Sequence, residues 1–284
     1  MTRLSASRIV RTLGFYAVLA LLCLFAVFPA LWMVITAFKQ NRDLYNPVNN
    51  PFLFNLPPTL QHFTFLFEQT NYPIFLWNSL FIGVIVVVIT LVLAVPAAYS
   101  LSRLMGRWGE RSGIAIFLVY LIPPTLLFIP LYEIVTALGA ANTVWSLVLV
   151  YPTITIPFCT WLMLSFFRSI PREIEEAALT DGWSRLGVFF RVALPLAAPG
   201  IMACIVFAFA LSLSDYIYAA VFVSATASRT VSAGVPTELI RGDIYYWQAL
   251  MAATAIVGIP LAVVYGLLFD WLVKGFRVDA PRST

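Results

Sequence analysis

Residues 175–200 read EEAALTDGWSRLGVFFRVALPLAAPG, a charged and strongly patterned stretch in a chain that is otherwise almost entirely apolar. Just upstream, Pro171 suits the first position of a helix, where its missing N–H costs nothing. Arg172–Thr180 holds good helix formers, and Ile174, Ala177 and Ala178 make an apolar, small-sided stripe on one face. Asp181-Gly182 ends that helix, because glycine reaches the left-handed backbone that helix termination favours. Trp183–Val192 offers a second short amphipathic piece, and Pro195 and Pro199 mark a return into apolar sequence. The pattern predicts two short helices set at an angle, a knob shaped for insertion into another protein's groove.

On either side of this knob the chain excludes water. Of the 284 residues 61% are hydrophobic and 11% charged, more apolar than one soluble core of this size can bury. Thr12–Phe38, Gln69–Ser102, Ser112–Tyr132, Ile134–Phe167, Val192–Ser214 and Ile244–Phe269 carry no charge. Each reaches or exceeds the roughly 20 residues that span a hydrocarbon core as a helix. Trimmed for interfacial residues, they predict an all-α membrane protein of six transmembrane helices: Leu13–Phe38, Trp77–Leu101, Gly113–Ala137, Thr143–Phe167, Pro195–Val223 and Trp247–Leu272. The first is too long for a signal peptide and lacks a small-residue cleavage site, so it is expected to remain as a helix.

Basic residues resist translocation and so give the orientation. Arg3, Arg8 and Arg11 precede the first span, Arg103, Arg107 and Arg111 follow the second, Arg168, Arg172, Arg185 and Arg191 follow the fourth, and Lys274, Arg277 and Arg282 follow the last. Only Lys39, Arg42, Arg229 and Arg241 fall on the opposite side. Both termini and the knob, approximately residues 168–194, are therefore expected in the cytoplasm, and the net charge of +4 reads as a topology signal with no call for a nucleic-acid partner. One transmembrane domain is expected over residues 1–284.

Cys23, Cys159 and Cys204 lie singly in predicted spans with no paired spacing, which argues against a disulfide or a metal site. The first outer loop, approximately 39–75, is rich in Pro, Asn and Phe, so it is not expected to form one long helix; its aromatics suit a membrane interface, with a partner protein as the other reading. The one histidine, His62, reads there as a solvated loop residue. Pro123, Pro124 and Pro130 in the third span and Pro152 and Pro157 in the fourth predict bent helices around a pathway, although membrane helices tolerate proline generally. Glu133 reads as an interfacial structural residue, and Asp270 with Lys274 as an i,i+4 ion pair. Asp215, inside the fifth span with Ser212 and Tyr218 three residues to either side, is expected to face a cavity or a partner.

The stretch at 175–200 resembles the EAA motif of ABC importer permeases: Glu-Ala-Ala, three residues, Gly, nine residues, Ile, one residue, Leu-Pro. Glu176, Ala177, Ala178, Gly182, Leu194 and Pro195 match in spacing, and Val192 takes the place of Ile. NSL at 78–80, AAYSLSR at 97–103 and the Pro-rich outer loop resemble the maltose-type carbohydrate permeases, in particular the shorter six-helix partner, over nearly the whole chain. The sequence departs from that pattern in the fifth span, where Leu213-Ser214-Asp215-Tyr216 stands in place of Trp-Asn-Glu and an aromatic residue.

The resemblance implies a bacterial inner-membrane heterodimer of two permeases, two copies of an ATP-binding subunit inside and a sugar-binding protein outside. ATP and Mg would bind to the partner subunits, since no Gly-rich loop with a following Lys-Ser/Thr occurs in this chain. Glu175, Glu176, Ala177, Ala178, Asp181, Gly182, Val192, Leu194 and Pro195 would couple the chain to the ATPase, while Ser212, Asp215, Tyr216 and Tyr218 would line the substrate pathway. No catalytic residue and no metal ligand is expected. Asp215 admits two roles, accepting hydrogen bonds from sugar hydroxyls or bonding the partner permease. The rival class is a secondary transporter or channel driven by an ion gradient through Asp215; an intramembrane enzyme lacks a nucleophile–base pair.

Overall fold

The computed structural model describes the backbone of residues 6–276 and the side chains of residues 11–268. In chain order the helices are α1 (Ala6–Phe38), α2 (Asn41–Leu44), α3 (Gln61–Gln69), α4 (Tyr72–Arg103), α5 (Gly106–Tyr120), α6 (Pro124–Ala137), α7 (Val144–Val150), α8 (Pro152–Ser169), α9 (Arg172–Thr180), α10 (Arg185–Val188), α11 (Leu194–Leu196), α12 (Ala198–Ser214), α13 (Ile217–Phe222), α14 (Val231–Leu239) and α15 (Trp247–Phe276). A two-stranded antiparallel hairpin, β1 (Ile240–Arg241) and β2 (Ile244–Tyr245), precedes α15. Two compact units result: Met1–Thr70 with Leu239–Gly258, and Asn71–Glu238 with Ile259–Thr284.

Among the described residues, four stretches are long and apolar enough to cross a bilayer: Arg11–Phe38, Tyr72–Arg103, Val144–Ser169 and Trp247–Leu268. The number reaches six when each of two bent pairs is one crossing, α5 with α6 at 90° and Arg185–Leu196 with Ala198–Ser214 at 73°. The third and fifth expected spans are thus not single rods. Pro123-Pro124 accounts for the first bend, since a proline pushes the residue before it out of the helical region; Pro123 has ψ 123°. The fifth span breaks again where no proline stands: α12 stops at Ser214, Asp215 is extended at φ −69°, ψ 123°, and α13 restarts two residues later.

In the first unit, α1 carries its apolar residues outward, and none of its most apolar window is buried within the chain. The loop after it folds around one carboxylate. Asp43 and Lys39 are buried, with Lys39 Nζ 3.6 Å from Asp43 Oδ1. Asn49 and Asn55 donate side-chain N–H groups to that oxygen at 3.0 and 2.8 Å, and the backbone N–H of Asn55 donates to Oδ2 at 3.1 Å. Burial pushes the Asp43 carboxyl up, but the bonds from Asn55 and Leu56 and the Lys39 ammonium outweigh it and hold the group below the usual carboxylate range. His62 corrects the sequence reading: it is buried, not solvated, and its Nε2 lies 2.9 Å from the Lys39 carbonyl. Burial lowers its pKa, against the opposing effect of that hydrogen bond.

In the second unit α4 packs against α5, α7, α8 and α12. Because lipid gives apolar helices no reason to prefer one another, close approach through small residues decides such packing. Ala94 and Ala98 are fully buried, and a Cβ at Gly109 would run into the Leu101 carbonyl, so glycine lets α5 lie directly on the end of α4. Two apolar cores follow along α4. Ala94, Ala98, Met163, Phe167 and Cys204 belong to one, and Ile82, Val86, Leu147, Tyr151, Tyr218 and Phe222 to the other. Between α4 and α8, Thr90 and Thr155 share a buried hydroxyl–hydroxyl bond of 2.6 Å. Cys159 and Cys204 are free thiols that exchange bonds with each other's carbonyl, at 3.9 and 3.8 Å. Glu133 is exposed. The expected Asp270–Lys274 pair lies outside the described side chains.

Candidate functional site

The knob consists of α9, a tight turn and α10. The N–H of Trp183 bonds to the Ala178 carbonyl at 3.2 Å and that of Gly182 to Leu179 at 3.1 Å, the paired bonds that close a helix through a left-handed residue. Gly182 supplies that residue at φ +89°. Ser184 then caps α10, its Oγ accepting from the Gly187 N–H at 3.1 Å. A single π turn, Phe189–Ala193, follows and leads through Val192, Leu194 and Pro195 to the bend before α12.

Of the two glutamates, Glu176 is exposed with Ala177, Asp181 and Gly182, whereas Glu175 is buried. Glu175 turns inward to α4. Arg103 Nε donates to its Oε1 at 2.8 Å and Tyr99 Oη donates to its Oε2 at 2.9 Å. Arg103 Nη2 also reaches the Ile170 carbonyl at 2.7 Å, and Arg172 Nη2 the Ser102 carbonyl at 3.2 Å. Tyr99, Ser102 and Arg103 all belong to the AAYSLSR stretch, so that motif clamps α9 to the end of α4. Glu175 is therefore a tether within the chain, while Glu176 and Asp181 remain on the free face.

That free face also carries apolar side chains outside the small stripe expected at Ile174, Ala177 and Ala178. Leu186 is 71% and Phe190 62% exposed, beside Trp183, whose ring lies 5.2 Å under the Arg191 guanidinium. Apolar side chains thus stand exposed on the knob together with the exposed Arg185 and Arg191. Their signal in the sequence is the amphipathic pattern of Trp183–Val192.

The second group of predicted residues gathers at the break after α12. Asp215 Oδ2 accepts from the N–H groups of Tyr218 and Ala219 at 3.0 and 3.2 Å and from Tyr151 Oη at 3.1 Å. The carboxylate thus caps α13, and an acid suits the positive end of a helix. Its backbone carbonyl accepts from Ser232 Oγ at 2.6 Å, and Tyr218 Oη donates to the Pro124 carbonyl at 2.6 Å beside the proline break. Ser212 does not join them: it is fully buried, and its hydroxyl bonds Ala208 one turn back. Tyr216 is 54% exposed. At the opposite end of α4, Asn78 Nδ2 donates to the Ala227 and Arg229 carbonyls, both at 2.9 Å, and Ser79 Oγ accepts from the Val231 N–H at 2.8 Å. NSL is thus a second clamp, holding the loop before α14.

Residues 7–278 match the family described as binding-protein-dependent transport system inner membrane component. The inner membrane ABC transporter permease protein YcjP of Escherichia coli is 33% identical over 97% of this chain and 98% of its own length. The sulfoquinovosyl glycerol transport system permease protein SmoH of Agrobacterium fabrum is 31% identical over 90% of this chain and 89% of its own. Among solved structures, a chain of a bacterial ABC transporter involved in the import of alginate superposes with a TM-score of 0.78 at 19% identity, over 95% of this chain and 99% of that one.

Proposed function

The chain belongs to the family of binding-protein-dependent transport system inner membrane components, and on that premise we propose that it forms half of the pathway of an ATP-driven importer for a sugar or sugar derivative. A binding protein outside would deliver the substrate, a second permease would complete the pathway, and two copies of an ATP-binding subunit would hold ATP and Mg and perform the hydrolysis. The chain would cross a bacterial inner membrane six times with both termini and the knob in the cytoplasm, as the distribution of Lys and Arg supports. Curated relatives carry names of sugar transport systems, sulfoquinovosyl glycerol, diacetylchitobiose and trehalose/maltose among them, which supports the substrate class.

One observation carries the mechanism: the exposed knob is clamped to the same helix whose other end clamps a loop. Over its 32 residues α4 extends about 48 Å at about 1.5 Å per residue. Closure of the ATPase pair around ATP would move the docked Glu176, Asp181 and apolar face. Glu175 and Arg172 would pass that motion to Arg103 and Ser102, and Asn78 and Ser79 would deliver it to residues 227–231. The Asp215 cluster reads as a structural joint, because Oδ2 accepts from two backbone N–H groups at the start of α13 and from Tyr151.

The test is reconstitution with the co-encoded permease, ATPase and binding protein in proteoliposomes. Uptake should need both ATP and the binding protein, and cysteine probes should react from outside at Asn49 and stay protected at Ser184. Uptake by the chain alone under an ion gradient would establish the rival class.

A further inference from the structure

A cavity of about 640 Å³ opens within the first unit, between the loop after α1 and the segment from the β-hairpin into α15. That volume lies in the range of small-molecule sites. Its lining combines two kinds of surface. The aromatic part holds two parallel pairs: Tyr245 and Trp247, with ring centroids 5.1 Å apart and planes 7° from parallel, and Phe65 and Tyr246, at 5.5 Å and 20°. The polar part includes Gln61 and Gln248.

Gln248 is the unusual member. It is 1% exposed, and its Nε2 is a buried donor with no hydrogen-bond partner among the described residues. Leaving such a group unpaired costs about 1–3 kcal/mol, so a buried orphan amide in the wall of a cavity calls for an acceptor from elsewhere. The hairpin that carries the aromatics is itself fixed, since Tyr45 Oη donates to the Tyr245 carbonyl at 3.0 Å. Among the described residues of the lining, the one formal charge is that of Asp243, because burial holds His62 below its usual pKa and leaves it neutral at pH 7.

We propose that this cavity is a subsite for a neutral carbohydrate. Ring C–H faces would lie on the Tyr245–Trp247 and Phe65–Tyr246 surfaces, and a sugar hydroxyl would accept from the Gln248 amide after rotation of that side chain. The flat aromatic area and the uncompensated donor fit a polyhydroxylated ring, and the Asp243 carboxylate disfavours uronates and other anionic sugars. The subsite rests on the proposed orientation, which puts this face outside, where substrate arrives. It would give the shorter permease its own contact with the cargo at the entry.

The assembled transporter in lipid nanodiscs, free of maltoside detergent, provides the test by saturation-transfer NMR with maltose, trehalose, sucrose and glucuronate as probes. At least one neutral disaccharide should receive saturation from the protein and glucuronate should not. The signal should fall at least fivefold in Trp247→Ala and in Gln248→Met, the second of which keeps the length of the side chain and removes the donor. No transfer to any disaccharide, equal transfer in both variants, or transfer to glucuronate as strong as to the disaccharides would each overturn the subsite. Receptor-dependent uptake by the same wild-type transporter reconstituted in proteoliposomes separates the two readings: normal uptake without the NMR signal removes the subsite alone, whereas absent ATP-driven uptake removes the importer reading beneath it.

Discussion

At Gly182 the backbone stands at φ +89° and an added Cβ would meet nothing within 4 Å. The handedness of the backbone is therefore the whole obstacle to substitution. Gly182→Val should cost on the order of 1–2 kcal/mol, whereas Gly182→Asn, which tolerates the left-handed region better, should cost less. Receptor-stimulated uptake should fall in the order Gly, Asn, Val; equal uptake in all three would detach the turn from coupling. Asp215 calls for a paired comparison. Asp215→Asn keeps an oxygen for the N–H groups of Tyr218 and Ala219 and should leave the thermal midpoint nearly unchanged, while Asp215→Ala removes a helix cap worth about 1 kcal/mol and strands the Tyr151 hydroxyl. Uptake retained in Asn with a lowered midpoint in Ala identifies a structural joint; uptake lost in Asn at an unchanged midpoint identifies a pathway residue. Gly182 was legible in the sequence because a turn is a local event. The inward role of Glu175 was not, because its partner Arg103 lies 72 residues away and only packing unites them.

Among the elements, the α9–α4 clamp is the most exposed to disruption by one change. Arg103 and Glu175 have side chains 8% exposed, and removing one member of such a buried pair costs about 3 kcal/mol. Glu175→Gln should therefore loosen α9 and speed tryptic cleavage at Arg185, and the double variant with Arg103→Met should recover part of the loss; unchanged cleavage would show that the clamp holds nothing. The loop after α1 should respond to acid. His62 has a depressed pKa when folded, so the unfolded loop binds a proton more readily and stability falls as pH drops from the ordinary value of 6.5 toward the folded one. The Asp43 carboxyl, also lowered, adds a further loss below about pH 4. The protection of amides in residues 40–66, taken relative to their intrinsic exchange rates, should fall between pH 7 and 5, and His62→Gln should abolish that step. Element breaks were legible where proline makes them, as at Pro123-Pro124. The break at Asp215 was not, since an acid in an apolar run reads equally as a lining residue or as a cap until Tyr151 and the N–H groups of α13 are in place.

For the molecule as a whole, charge-free runs and the distribution of Lys and Arg carried the expectation of six crossings, because lipid imposes a length and an orientation that composition records directly. They did not reveal which crossings are bent, how the loop after α1 closes around Asp43, or that a cavity stands beside Gln248, all of which arise from contacts distant in sequence. The exposed α1 has a consequence for the life of the protein in the cell. From Arg11 to Phe38 none of its most apolar window is covered by the rest of the chain, so the finished fold does not itself reward bringing that segment in. A copy synthesised without its assembly partner would remain recognisable as an orphan to membrane proteases, and stoichiometry would be enforced by turnover instead of by matched synthesis. Pulse-chase labelling should show a half-life several times longer when the co-encoded permease is expressed alongside, and equal half-lives would mean that lipid alone is sufficient company for α1.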